Sequence, residues 1–495
     1  MPTLNPEYIE HISQQIDPNQ LADFIKFSQR PLRKSIRINT LKISIVAFKK
    51  RAQLNQWQLT PIPWCESGFW IERPENQEQA CSLGNTPEHL LGLMYIQEAS
   101  SMLPAEVLIT IYQRHHHKNP DLVLDMASAP GSKSTQLAAI TQQNSLIIAN
   151  ELSSSRLKTL AHNFRRSGIS NYVLTHQDGC DFKSIKNQFD AILLDAPCTG
   201  EGTIRKDKKA LHNWSLENII KISQLQIQLL QSAYSALKPG GILVYSTCTL
   251  SREENEQVCQ HFLQDHEHDM EPVTLSNFFP NADVAVTENQ SLKIWPHFFD
   301  SEGFFVACFL KKEAIEQNPN KNNSDIVPFN YIQPSGYWSV PESHLLHDYS
   351  GFMLDYFGFE IEQLKGQYLL KTEKHAKILW LFPEQLSHPL FQSLKPNRCG
   401  IKIADVFTKG NTFKFRLSHE FCVAFGPLFT AKCIEISANE LAEIYKGKDL
   451  TGPQSLSPPS LNGDAILRYQ NFVVGLVRVM GLRYKNNLPR ELIAN

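Results

Sequence analysis

No apolar stretch in this 495-residue sequence approaches the roughly 20 residues that a membrane-spanning helix needs. The opening residues, MPTLNPEYIEHISQQ, lack a basic segment followed by an apolar one, so no secretory signal is expected. The ten cysteines include no CxxC pair and follow no regular spacing. That argues against a zinc site or a disulfide framework, and the expected setting is a reducing cytoplasm with no metal and no membrane partner. Internal repeats are missing too. So are the GxGxxG fingerprint and the GxxxxGK(S/T) loop, which disfavours a dinucleotide or a nucleoside triphosphate as ligand.

Acidic residues are missing from two long segments. Between Phe24 and Cys65 there are nine Lys or Arg and no Asp or Glu; between Ala465 and Arg490 there are five and none. A charge run is ordinarily a solvated face. Two acid-free runs at opposite ends of a chain with a formal net charge of −2 point instead to a polyanion lying across the protein, because phosphate contacts supply sequence-independent affinity. Arg33, Lys34 and Arg37 in the first run, and Arg478, Arg483 and Lys485 in the second, are the candidate contacts. The run Arg114-His115-His116-His117-Lys118 reads as a surface loop, since three adjacent histidines cannot converge on one ion.

What is present is an alternation of strand and helix from about residue 121. LVLDM, SLIIANE, NYVLTHQD, FDAILLDAP and GGILVYSTC read as buried strands, with SSSRLKTLAHNFRRSG and LENIIKISQLQIQLLQSAYSALKPG as two of the helices between them. FFVACFLKK, residues 304–312, reads as a final antiparallel strand at the sheet edge. The pattern predicts a doubly wound α/β sheet. Residues 1–105 form a smaller mixed unit, 106–312 the sheet domain, 313–328 a polar linker, and 329–495 a region of short strands such as HAKILWLFP and GIKIADVFT, interrupted by the polar stretch TGPQSLSPPSLNGD.

In such sheets ligands bind beyond the carboxyl ends of the strands. Asp125 ends the first strand, and ASAPGSK follows as a turn into a helix, with Gly131 allowing close backbone approach. Glu151 ends the second strand, where an acid accepts hydrogen bonds from ribose hydroxyls; Asp178 ends the third, within reach of an adenine amino group. Three strand-end acids without a phosphate cradle suit a cationic nucleoside, S-adenosylmethionine. Two more strand ends carry thiols, Cys198 in DAPCTGEGT and Cys248 in STCTLSREENE, each among polar and glycine residues that make poor core; the other eight cysteines read as small buried hydrophobes. A helix start just after Cys248 is expected to lower its pKa. A pyrimidine C5 becomes nucleophilic only after a thiolate adds at C6, and the adduct must then lose its C5 proton. Two thiols can divide that work, one attacking and one assisting elimination, with Asp195 bonded to the N3 and 4-amino edge of the ring.

The segments DMASAPGSKSTQLA, ANELSSSRL, HQDG, LLDAPCTGEGT and YSTCTLSREENEQV resemble the NOL1/NOP2/Sun family of RNA cytosine-5 methyltransferases, as do SIRINTLK, YIQEASSMLPAEVL and IWPHFFDSEGFFVACFLKK. The resemblance covers about residues 30–312. PGSK with Ser132, and GLRYKNNLPREL near the end, are similar to the bacterial members that act on 16S rRNA. The resemblance implies that Cys248 attacks C6 and that Cys198 is needed for release. It implies an S-adenosylmethionine site built from Ala127, Ser128, Ala129, Pro130, Gly131, Ser132 and Lys133 with Glu151, Asp178 and Asp195, where Lys133 and Asp195 also face the base. It further implies a Rossmann-like methyltransferase sheet, an RRM-like N-terminal subdomain, a PUA-like C-terminal module, and 16S rRNA as partner, either free or within the small ribosomal subunit. A flipped base and a monomeric enzyme are expected. The rival readings are the same chemistry on tRNA or 23S rRNA, a uracil-5 methyltransferase, and an RNA-binding assembly factor without catalysis.

Overall fold

Strands that are apolar along their whole length need cover on both faces, and the runs after residue 121 find it in a mostly parallel sheet flanked by helices. The computed structural model describes residues 5–212, 214–313, 338–373, 377–385, 388–410, 412–452 and 462–493. The expected linker lies outside the described residues from 314 onward, as do 329–337, the start of HAKILWLFP and most of TGPQSLSPPSLNGD. Two compact units emerge: Met1–Gln77, Met94–Leu160 and Leu174–Asn323 form one, and Glu78–Leu93, Ala161–Val173 and Ser324–Asn495 the other.

The first unit holds two sheets. Strands β1 (Ser35–Ile38), β2 (Gln58–Ile62), β3 (Cys65–Glu72) and β4 (Met94–Ile96) form an antiparallel sheet in the order β2-β3-β1-β4. The larger sheet contains β5 (Leu122–Asp125), β6 (Leu146–Asn150), β7 (Tyr172–Thr175), β8 (Phe189–Asp195), β9 (Leu237–Thr247), β10 (Met270–Pro272), β11 (Leu292–Ile294) and β12 (Phe304–Lys311). Its order is β10-β12-β9-β8-β5-β6-β7, with β11 also paired to β12. Pairings β5–β6, β5–β8 and β8–β9 are parallel, while β12 runs antiparallel to β9. The expected α/β sheet is therefore what forms. The chain winds one way from β5 to β7 and the other way through β8 and β9, so β5 and β8 flank the switch point where such sheets bind ligands.

Three expectations need correction. The strand at 304–312 is not an edge strand, because β10 and β11 pair with β12. The helix before β9 ends at Ala236, and Leu237 to Gly241 already belong to the strand, since Pro239 cannot continue a helix. The histidine run is not a loop either. His115 and His116 complete the helix Leu103–His116, and His117 caps it at φ 56°. The His116 ring packs on Tyr112 and its Nε2 lies 2.8 Å from the Gly240 carbonyl. Among the described residues no group of three His, Cys, Asp or Glu can hold a metal, and no helix is long and apolar enough to cross a membrane.

The second unit contributes two five-stranded sheets. One is ordered Trp338–Ser339, Tyr368–Glu373, Ile378–Pro383, Ile401–Lys409 and Thr412–Leu417; the other Cys433–Glu435, Gly463–Tyr469, Phe472–Met480, Arg483–Asn486 and Leu450–Thr451.

Arg37, expected to meet a polyanion, is instead 2% exposed. From β1 it donates to Gln97 Oε1 at 2.9 Å, to Thr135 Oγ1 at 2.8 Å and to the Ser132 carbonyl at 3.3 Å. The charge thus ties the N-terminal sheet to the first turn of the helix Ser132–Ile140, and no surface role is left for it. Arg37→Ala should lower the unfolding free energy by roughly 3 kcal/mol, because it strips three buried acceptors of their donor. A thermal melt measures this; an unchanged melting temperature combined with weakened RNA binding would return Arg37 to the surface role.

Candidate active site

The turn after β5 builds one wall. Asp125 is buried, and burial raises its carboxyl to about 6 even though Ser134 donates to it at 2.5 Å. Gly131 sits at φ 103° and opens the helix Ser132–Ile140 with no side-chain cap, a backbone conformation that favours glycine. Asn150, the last residue of β6, fixes the neighbouring loops by donating to the Met126 and Gln177 carbonyls at 3.0 Å each and accepting from Thr175 at 2.8 Å. Glu151 follows it. One of its oxygens accepts from Ser153 N–H at 2.8 Å and the other lies 3.3 Å from Arg156, whose guanidinium also reaches the Ala129 carbonyl. Asp178, expected to end the third strand, instead lies three residues beyond its last residue, Thr175; it is exposed and caps the short helical turn Gly179–Ser184.

The second wall is set by the parallel pairing of β8 and β9, in which Asp195 stands opposite Ser246. Ser246 Oγ donates to Asp195 Oδ1 at 2.8 Å, and Lys133 Nζ reaches Asp195 Oδ2 at 2.7 Å. Burial alone would lower the pKa of Lys133; the Asp195 carboxylate beside it outweighs that and holds it above its ordinary value, with Asp125 and Cys248 adding to the effect. Beyond the strand ends the two thiols meet, Cys198 Sγ lying 3.2 Å from Cys248 Sγ. The Cys198 thiol is pushed well above its ordinary pKa, first by its hydrogen bond to Cys248 and then by burial. The helix expected to start just after Cys248 begins only at Glu256, so the fixed positive charge nearby is Lys133 rather than a helix terminus. The site thus joins a proton-holding thiol, a second thiol, and an ion pair. All four residues read as catalytic, Cys248, Cys198, Asp195 and Lys133, lie within it.

Three family models match the chain: "16S rRNA methyltransferase RsmB/F" over residues 113–310, the "N-terminal domain of 16S rRNA methyltransferase RsmF" over 4–99, and the "Methyltransferase RsmF PUA domain" over 431–494. A fourth, the pre-PUA domain of ribosomal RNA small subunit methyltransferase F, matches 362–425. The chain is 44% identical to ribosomal RNA small subunit methyltransferase F of Vibrio cholerae over 96% of its own length and 94% of that protein. It is 45% identical to the protein of that name from Psychromonas ingrahamii over the same shares. A methyltransferase homologue from Pyrococcus horikoshii superposes with a TM-score of 0.51 at 33% identity, covering 62% of this chain and all of that one. The chain belongs to the ribosomal RNA small subunit methyltransferase F family. It is an rRNA methyltransferase.

Two residues of this site carry no signal of their own in the sequence: Ser246 lies inside an apolar strand run and Gly202 in a polar loop. Gly202 in fact threads between the two cysteine segments, donating to the Cys248 carbonyl at 3.0 Å and accepting from Gly303 N–H at 2.9 Å. Of the eight cysteines read as buried, Cys65, Cys259, Cys308, Cys399 and Cys422 are so, whereas Cys81, Cys180 and Cys433 are partly exposed. The basic residues divide as well. Lys34, Arg478, Arg483 and Lys485 are exposed. Arg33 is half-buried over the Trp70 ring with Glu72 and Asp300 beside it, and Arg483 is paired with Asp449.

A Cβ at Gly202 would stand 2.8 Å from the Cys248 carbonyl and closer still to that of Gly303. Backbone cannot yield there. Gly202→Ala should cost about 1–3 kcal/mol in stability and, by displacing Cys248, slow methyl transfer to rRNA by about 10–100-fold. Melting curves and a methyl-transfer assay check the pair of effects; a stable, fully active variant would show that the two segments move independently.

Proposed function

We propose that the protein methylates C5 of a cytidine in 16S rRNA, with S-adenosylmethionine as donor and a covalent bond from Cys248 to C6 as the intermediate. The observation that carries this reading is the pair of sulfurs 3.2 Å apart beside the Lys133–Asp195 ion pair. The strand-end turn fits the donor: backbone bends closely around Gly131, a helix opens there, and Glu151, Asp178 and Asp195 offer only carboxylates to a ribose, an adenine amino group and a cationic centre. When bound, S-adenosylmethionine supplies an electrophilic methyl group to C5.

The chain's own residues supply the rest. Contact with Cys248 and burial both hold the Cys198 thiol back from ionising, which suits Cys248 as the sulfur that attacks C6. As the S–C6 bond forms, the electron pair of the ring double bond moves toward C5. Asp195, held by Ser246 and Lys133, accepts from the 4-amino group, and the Lys133 ammonium beside it offsets the negative charge that builds on the ring. Once Cys248 is bonded to carbon it no longer carries the charge that kept Cys198 protonated. Cys198 then loses its proton to solvent and, as thiolate, takes the C5 proton of the methylated ring. The C5–H pair re-forms the double bond, the S–C6 bond breaks, and Cys248 leaves as thiolate beside a protonated Cys198. One proton is released per methyl transferred.

Denaturing gel electrophoresis after incubation with 16S rRNA and S-adenosylmethionine tests this order. Cys198→Ala should accumulate a protein–RNA adduct, and Cys248→Ala should form none and lose methylation. An adduct in Cys248→Ala alone would exchange the roles, and 5-methyluridine in the product would replace the base. The exposed C-terminal bases carry the second expectation. Arg478 and Lys485 stand directly opposite each other across paired strands, with Asp464 opposite Arg478 on its other side. Replacing Arg478, Arg483 and Lys485 by Ala together should weaken RNA binding and reduce its salt slope by roughly 0.7–0.9 per lost phosphate contact. An unchanged slope would place the RNA elsewhere.

A further inference from the structure

Glu254, six residues after Cys248, plays no part in the steps above, yet it is fully buried. Its Oε2 accepts from the Thr199 N–H at 3.0 Å and from Gln226 Nε2 at 2.8 Å, and its Oε1 accepts from the Thr199 hydroxyl. Gln226, from the helix Leu216–Ala236, also donates to the Pro197 carbonyl at 2.9 Å. Both residues flanking Cys198 are therefore held. The clamp is itself anchored on β9, because the Tyr245 hydroxyl donates to the Glu254 main-chain carbonyl at 2.5 Å.

We propose that Glu254 is the positioning residue of the release thiol: by gripping Thr199 it fixes Cys198 against Cys248, so that removal of the C5 proton, rather than attack at C6, depends on it. This rests on the proposed roles of the two cysteines. The logic is geometric. Cys198 lies on a loop whose flanking glycine, Gly200, adopts φ +74°, and without a tie such a loop offers the thiol many positions. Cys248 follows directly from β9, so its position does not require the clamp. Burial raises the Glu254 carboxyl to about 7 against the three donors that lower it, so the clamp works through hydrogen bonds more than through a full charge. An amide can take over: its oxygen accepts the two N–H donors, and its NH2 donates to the Thr199 hydroxyl, which is free to turn.

The test compares Glu254→Ala, Glu254→Gln, Cys198→Ala and the wild type on 16S rRNA with S-adenosylmethionine, scoring the adduct on denaturing gels together with kcat and the KM for the donor. Glu254→Ala should accumulate adduct as Cys198→Ala does, with kcat down by about 10–100-fold from misplacement of the thiol and the donor KM unchanged. Glu254→Gln should restore turnover to within a few-fold and leave no adduct. Adduct in Cys198→Ala but none in Glu254→Ala would overturn the proposal while leaving the thiol roles standing. Loss in Glu254→Gln as severe as in Glu254→Ala would overturn the hydrogen-bond clamp. No adduct in Cys198→Ala would remove its release role, and the proposal with it. Should Glu254→Ala fail to fold, Gln226→Leu removes only the tie to Pro197 and one bond to Glu254, and it too should trap adduct; its absence there counts against the clamp.

Discussion

The contact between two sulfurs rests on one register. Parallel pairing of β8 with β9 sets Asp195 opposite Ser246, and the thiols follow three and two residues later on the two chains. A slip of one residue would turn every side chain of one strand to the other face. It would part Asp195 from Ser246 and separate the cysteines. That register is held by complete burial: from Ala191 to Leu194 and from Ile242 to Thr247 the two strands are almost wholly removed from water. The apolar core of the sheet is thus what brings two thiols within 3.2 Å of each other.

This explains what could be read in advance. Buried parallel strands announce themselves as continuous apolar runs, and the residue where such a run ends is the residue delivered to the ligand side of the sheet. Asp125 and Asp195 close their strands, Glu151 and Cys248 follow by one residue, and Asp178 and Cys198 by three, so all six stand at or just past strand ends, as the local pattern led one to expect. The proposed division of labour between the cysteines does not follow from pattern, because it depends on which sulfur holds its proton more tightly. Hydrogen bonding and burial both raise the Cys198 thiol, and both are properties of the fold.

Tertiary partners also explain the misreadings. Arg37 belongs to an acid-free segment and looks like its neighbours, but its whole strand is buried, and Gln97 and Thr135 receive its donors there. The histidine run looked polar enough for a loop until Tyr112 and Gly240 supplied partners. Glu254 sits in a polar sequence, SREENE, where an exposed turn is the natural reading. Its burial comes from Thr199 and Gln226, residues 55 and 28 positions away. Long-range contacts of that sort leave no periodic trace.

On the proposed roles of the two cysteines, addition itself alters the acid–base balance of the site. The Lys133 ammonium interacts with Cys248, and the Cys198 sulfur lies 3.2 Å from it. In the proposed reaction, attack moves charge from that sulfur to the ring. The contact that raises the Cys198 thiol then loses its charged partner, and the thiol becomes easier to ionise at the step that needs a base. A thiol far from Cys248 would ionise equally well before and after addition. On this reading the proximity of the two sulfurs supplies timing as well as geometry: it holds back the base until there is a proton on C5 for it to remove.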